Sequence, residues 1–282
     1  MHKPFERTEF HGLPALRLTA RDGATAIVTD HGAQVVSWQP ARGGERLYMS
    51  ERSAFGNGRP MRGGIPVIFP QFGPEGPLPR HGFARNIAWM PEDSHDGGDF
   101  LRATWRLTDS ADTHKVWPFC FTAEITVLLE GSRLDVELTV ENTGTGTLDF
   151  TAALHTYCRV PDVELASLEG LCDARYRDQT DRRRRVDDRD EVLRVTAEVD
   201  RIYENAPPMQ RLVTGAGTLE LTREGFPDVV VWNPWEQKCA GMTDMPPDGF
   251  RRMLCVEAAA VHRQVSLGAG AEWSGRQSLN AA

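Results

Sequence analysis

The chain has 282 residues and a formal net charge of −8. It is long enough to bury a full core without disulfide or metal staples, and too acidic as a whole to favour nucleic acid or an anionic membrane surface. Of its 32 basic residues only Lys3, Lys115 and Lys238 are lysines, so an isolated arginine is background and only one in a constrained setting is a signal.

The opening "MHKPFERTEFHG" lacks the apolar stretch of a secretory leader. No run approaches the length of a membrane-spanning helix, and the reading is a cytoplasmic protein. The first periodic segment, "ATAIVTDHGAQVVSWQP" (24–40), reads as two strands around the turn at His31–Gly32.

The next stretch, "MRGGIPVIFPQFGPEGPLPRHGFAR" (61–85), is of another kind. Pro66, Pro70, Pro74, Pro77 and Pro79 interrupt any regular element, and Arg62, Arg80, His81 and Arg85 stand at its ends. A stiff irregular segment loses less entropy on ordering, and arginine forks bind phosphate bidentately. Two readings stay open at this point: an anion clamp, or arginines paired with local Asp and Glu.

Alternation resumes in "EITVLLEGSRLDVELTVENTG" (124–144). Ile125, Val127 and Leu129 share one face, and after the turn at Gly131–Ser132 so do Leu134, Val136, Leu138 and Val140. "TAALHTYCRV" (151–160) places His155 in a strand-like apolar run, where it is either a core histidine bonded to a backbone carbonyl or a catalytic group. In "DRRRRVDDRDE" (181–191) five arginines meet five carboxylates, the balance of a solvated hairpin or loop rather than a polyanion site. "TLELTREGFPDVVVWNPW" (218–235) reads as two strands joined through Gly225–Pro227. Finally, "RMLCVEAAAV" (252–261) sets Glu257 among apolar neighbours, and a carboxylate there needs a partner or a task. Should His155 and Glu257 face one cavity, they form an acid–base pair.

Turn signals recur every 8–12 residues and no amphipathic helix of three turns is apparent, which predicts an all-β sandwich or barrel in one domain spanning 1–282. The five cysteines, Cys120, Cys158, Cys172, Cys239 and Cys255, show no C-x-x-C and no Cys/His spacing of a zinc site. They read as reduced, mostly buried thiols. There is no G-x-S-x-G, P-loop, H-E-x-x-H or strand-following G-x-G-x-x-G, so no motif asks for a nucleotide cofactor or a catalytic metal.

Taken in order, "RGGIPVIFPQFGP", "LPRHGFARNIAW", "ALHTYCRV", "EVDRIYEN", "VVWNPWEQK" and "MLCVEAAAV" resemble the hexose-6-phosphate mutarotases, the glucose-6-phosphate 1-epimerases of the aldose 1-epimerase superfamily. The resemblance implies a galactose-mutarotase-like antiparallel β-sandwich (supersandwich) that interconverts anomers of hexose 6-phosphates without a cofactor; the expected partner is the small-molecule substrate, and the expected state a monomer. It implies His155 and Glu257 as the catalytic pair, Arg62 and Arg85 as holders of the sugar phosphate, and Asp200 as acceptor of sugar hydroxyls. Arg80 falls at a binding position that varies in type, and His81 beside it also touches substrate. Cys158, where an aromatic residue is common, and the arginines at 182–185 depart from the pattern and bear on sugar selectivity. The competing expectations are an epimerase of unphosphorylated aldoses and a carbohydrate-binding module without turnover.

Overall fold

The computed structural model describes residues 3–56 and 58–282. Strand accounts for 51% and helix for 8%, as the period-2 alternation predicts. The two α-helices, Ala111–Val116 and Trp235–Ala240, have six residues each. Among the described residues no helix is long and apolar enough to cross a membrane.

Three antiparallel sheets are formed. Phe5–Phe10, Leu13–Thr19, Thr25–Thr29 and Gln34–Gln39 make a four-stranded meander, whose last two strands are those read from 24–40. A nine-stranded sheet contains Phe121–Glu130 and Arg133–Asn142, paired from Glu130↔Arg133 onward. Their alternate residues, Ile125 to Leu129 and Leu134 to Val140, are buried as the alternation requires.

The third sheet carries the candidate site. Its eight strands are β1 (Val67–Ile68), β2 (Leu148–Leu154), β3 (Tyr157–Arg159), β4 (Arg175–Asp178), β5 (Arg184–Asp187), β6 (Val199–Glu204), β7 (Asp228–Asn233) and β8 (Met253–Leu267). The order across it is β5-β4-β6-β7-β8-β2-β1, with β3 also on β8. Segment 218–235 does supply two strands, but they part company. Gly217–Glu224 joins the nine-stranded sheet, whereas β7 crosses to the third sheet between β6 and β8. A strand buried on both faces needs apolar side chains on both, which is why β7 reads "DVVVWN" without alternation.

One contiguous cluster of buried side chains runs from Leu16 to Leu279. A second, small cluster lies on the other face of the third sheet: Ile68, Ala153, Ile202, Val230 and Ala259, with Phe72 and Val261 against them. Phe72, Ile202 and Val230 of this cluster line a cavity.

The "RGG" of the irregular stretch has a steric cause. Gly64 donates to the Tyr48 carbonyl (2.8 Å) and Ile65 to the Val35 carbonyl (2.8 Å), so the segment crosses two other backbones at close range. Gly64 has φ +64°, and a Cβ there would stand 2.2 Å from the Val35 oxygen. Only glycine fits, and the crossing fixes the direction in which Arg62 leaves the chain. Gly64→Ala is expected to lower stability by at least about 2 kcal/mol, read as a drop in the urea midpoint with an unchanged m-value.

Candidate active site

The site is built from two rows of side chains across the third sheet. Strand register pairs Ile202 with Val230 and Val230 with Glu257. Leu154 pairs with Ala258 and Tyr157 with Cys255, and the same register carried across the gap between them sets His155 opposite Glu257. The first row is therefore Ile202, Val230, Glu257, His155. The next, two residues along each strand, is Asp200, Trp232, Cys255, Tyr157. Period-2 geometry puts both rows on one face.

His155 is not inside a strand, as its apolar surroundings suggest. It occupies the two-residue break between β2 and β3, where its N–H donates to the Pro66 carbonyl (3.0 Å). The break lets the stiff 61–85 segment meet the sheet at that point.

A cavity of about 310 Å³ lies over these rows, at the lower end of the range for small-molecule sites. Arg62, Arg80, His81, Arg85, His155, Asp200 and Glu257 all line it, so every residue singled out in the sequence converges on one space. His155 Nδ1 stands 3.3 Å from Glu257 Oε1. Nδ1 and the other carboxyl oxygen, Oε2, are buried without a hydrogen-bond partner. The His155 ring stacks on Tyr157 at 4.7 Å.

Burial dominates the electrostatics. It pushes the Glu257 carboxyl well up, assisted by Asp200 and opposed by Arg85 and Arg80. It pushes the His155 imidazole well down, with His81, Arg85 and Arg62 acting in the same sense. The two shifts act in opposite senses, both favouring the uncharged form: imidazole for His155 and carboxylic acid for Glu257. His81, in the left-handed region at φ 69°, is lowered to about 2 by burial and by Arg85, Arg80 and Arg62. It is neutral, and its Nδ1 accepts from the Gly73 N–H (3.3 Å).

The arginines divide into two kinds. Arg62 is engaged: its Nε and Nη2 donate to Asp244 (3.1 and 2.9 Å) and its Nη1 to the Tyr157 hydroxyl (2.8 Å), and it lies over the Trp232 ring. The reading in which arginines pair with local acids thus holds for Arg62, which braces the ring stacked on His155. Arg80 and Arg85 form no ion pair among the described residues. Arg85 donates from Nη2 to the Arg80 carbonyl (3.0 Å), while its buried Nε has no partner. Burial, with Arg62 and Arg80 nearby, brings its guanidinium down to about 10, still a cation at neutral pH. A cation held there without an anion is an open demand for one.

Asp200, on β6, is raised to about 6 by burial, against the pull of Lys238 and Arg80. At pH 7 it is ionised at a cost to the fold. The sign follows from linkage: an acid whose folded value exceeds its unfolded one favours folding below the unfolded value and loses that contribution as pH rises to about 6.

Several lining residues escaped the sequence reading. Lys238, one of three lysines, faces the cavity and pairs with Glu198 (2.6 Å). Trp232 and Val230 line it too, and their spacing of two in "VVVW" was the available signal. Gln179 reaches it from the turn between β4 and β5, with nothing in the sequence to announce it. The arginine-rich run is the solvated hairpin that its charge balance predicts, and it also binds the irregular segment: Arg183 forms an ion pair with Glu75, which lines the cavity. Of the cysteines, Cys158, Cys239 and Cys255 are buried, Cys172 is intermediate and Cys120 exposed.

Imidazoles, carboxyl side chains and three arginines brought to one cavity of an all-β scaffold describe a polar small-molecule site. The chain belongs to the aldose 1-epimerase family, whose pattern it matches over residues 14–280. It is an epimerase that interconverts sugar anomers. It is 34% identical over 281 residues to a Cenchrus ciliaris protein named "Putative glucose-6-phosphate 1-epimerase", the match covering 96% of this chain and 85% of that one. The crystal structure of a protein described as "a putative mutarotase (YeaD)" from Salmonella typhimurium superposes with a TM-score of 0.91 at 27% identity, covering 99% of this chain and 93% of the other. Galactose 1-epimerase from Lactobacillus acidophilus NCFM shares the fold, with a TM-score of 0.74 at 14% identity over 99% of this chain and 98% of that one.

Asp200→Asn is expected to stabilise the protein above pH 6 by on the order of 2 kcal/mol and to leave it unchanged below pH 4. Urea unfolding across that range reads the difference.

Proposed function

We propose that the chain interconverts the α and β anomers of D-glucose 6-phosphate and related hexose 6-phosphates, with His155 and Glu257 as the acid–base pair. The observation that carries the phosphosugar reading is Arg85: a half-buried cation whose Nε is buried and which has, among the described residues, no partner for that atom and no carboxylate in an ion pair, on the wall of the cavity that holds the pair. Arg80, exposed beside it, adds a second guanidinium. A phosphomonoester brings roughly −1.5 to −2 charges at pH 7, which an otherwise acidic protein accepts only at such a corner. Arg62 serves as the brace behind them, Asp200 offers an acceptor for sugar hydroxyls, and His81, whose Nε2 lies 3.3 Å from Arg80 Nε, sets the position of that guanidinium against the substrate.

Ring opening requires that the C1 hydroxyl lose a proton while O5 gains one. The C1–O5 bond then breaks to an open-chain aldehyde, C1 turns about the C1–C2 bond, and closure on the other face runs the transfers backward. Acid and base exchange roles between opening and closing, so the pair needs one transferable proton rather than a fixed owner. Glu257 as base and His155 as acid, the assignment the sequence suggests, corresponds to that proton having passed from carboxyl to imidazole. The unpartnered Nδ1 and Oε2 are the atoms that a hemiacetal would satisfy. Each such positioned group contributes about 10²–10⁴-fold. Phosphate held far from C1 supplies binding energy that keeps the ring in register.

NMR exchange between anomers tests this. Glu257→Gln and His155→Ala are each expected to lower kcat by about 10²–10⁴-fold with KM little changed. Arg85→Ala is expected to raise KM for glucose 6-phosphate at least about tenfold while leaving exchange of unphosphorylated glucose as it was. Equal rates on glucose and glucose 6-phosphate in the unaltered enzyme would return the reading to an aldose 1-epimerase. Sugar binding with exchange at the uncatalysed rate would make the chain a binding module.

A further inference from the structure

Away from the sugar cavity, the sequence between two strands of the nine-stranded sheet folds into a compact knot that gathers three different donor atoms. Ser110 caps the helix Ala111–Val116 through a reciprocal capping box with Thr113, which fixes where the single turn begins. Trp117 closes the helix, its N–H donating to the Thr113 carbonyl (2.8 Å), and its buried ring packs on Phe69 and Phe121. Asp109 is tied to the far end of the same loop. Its N–H donates to the Phe121 carbonyl (3.2 Å), and its Oδ1 accepts from the Phe121 N–H (3.1 Å).

Held by these ties, His114 from the helix and Cys120 from the return limb meet Asp109 at one point. His114 Nε2 lies 2.7 Å from Asp109 Oδ2 and 4.0 Å from Cys120 Sγ, and one ligand atom from each of the three falls within 4.8 Å of the others. Tetrahedral zinc, with bonds of about 2.0–2.3 Å, sets its ligands about 3.3–3.6 Å apart. The two separations from His114 Nε2 fall either side of that range by about half an ångström, a difference that small side-chain rotations take up. No motif announces the set, because the spacing from Asp109 to His114 to Cys120 matches none of the familiar zinc patterns.

We infer that Asp109, His114 and Cys120 form a binding site for one borderline-soft divalent cation of the Zn²⁺ class, with the fourth position open to water. Imidazole nitrogen and thiolate sulfur select such an ion over magnesium or calcium, which prefer oxygen shells. Binding needs a bare Nε2 and a thiolate: the imidazole proton that faces Asp109 moves to Nδ1, the Cys120 thiol proton leaves to solvent, and one proton is released for each ion bound. Asp109 Oδ1 retains its Phe121 hydrogen bond, which orients the ligating oxygen. Unlike His155, Cys255 and Glu257, a second close trio that is wholly buried, this one stands at the surface, with the His114 side chain 38% exposed. It shares no residue with the sugar cavity.

Titration of the full chain with Co²⁺, followed by Zn²⁺ displacement, tests the site. The expected result is one equivalent bound with a sulfur-to-cobalt charge-transfer band, discharged by Zn²⁺. Cys120→Ser should abolish the band, His114→Ala should weaken binding at least about tenfold, and Cys255→Ser should change neither. Far-ultraviolet circular dichroism confirms that each variant is folded. Zn²⁺ should also raise the melting temperature of the unaltered chain and not that of Cys120→Ser. Absence of a charge-transfer band in the unaltered chain overturns the inference. So does a band that survives Cys120→Ser and is lost in Cys255→Ser, which would place the metal in the buried trio.

Discussion

The molecule is organised around the cost of keeping Glu257 inside. A carboxyl among the alanines of a central strand is tolerable only if it is neutral or paired, and the strand register solves this by bringing an imidazole directly across from it. Everything else about the site follows from that placement. The row that contains the pair must be flanked by apolar groups on the same face, which Ile202 and Val230 supply. The break that frees His155 from the ladder must be covered, which the 61–85 segment does through Pro66. Even so, His155 Nδ1 and Glu257 Oε2 have no hydrogen-bond partner among the described residues.

Charge is distributed with similar economy. Arg62 is neutralised by Asp244 and turned into a brace for Tyr157, whereas Arg85 and Arg80 remain uncompensated. Asp200 is kept ionised at neutral pH against its burial. These are the places where the chain departs from what stability alone would select, and they share one wall-to-wall space. Cations at one corner, a carboxylate at another and the His155–Glu257 pair between them leave the cavity with charge of both signs on its walls.

How much of this could be read in advance depends on range. Alternation is local, so the strands at 24–40, 124–144 and 218–235 are legible from their own residues. Sheet membership is not local. Nothing in "TLELTREGFPDVVVW" says that its halves belong to different sheets, because the crossing is decided by the strands of the core that flank β7. His155 and Glu257 stood out as polar residues in apolar company. Their convergence, and that of Arg62, Arg80, His81, Arg85 and Asp200, came from resemblance and not from spacing. The brace of Arg62 by Asp244 joins residues 182 positions apart and is invisible to any window. Gln179 enters the cavity only because a hairpin folds over it, and Asp109, His114 and Cys120 meet only because a six-residue helix reverses the chain.

The ion pair between Arg183 and Glu75 is the join between that hairpin and the proline-rich segment, the two pieces of irregular backbone that face each other around the sugar cavity. Both partners are about half exposed, and a solvent-facing bond of that sort is weak and screened by salt. The cavity wall therefore has a seam. Ionic strength acts on the bond between these two loops and not on the hydrogen-bonded ladder beneath them.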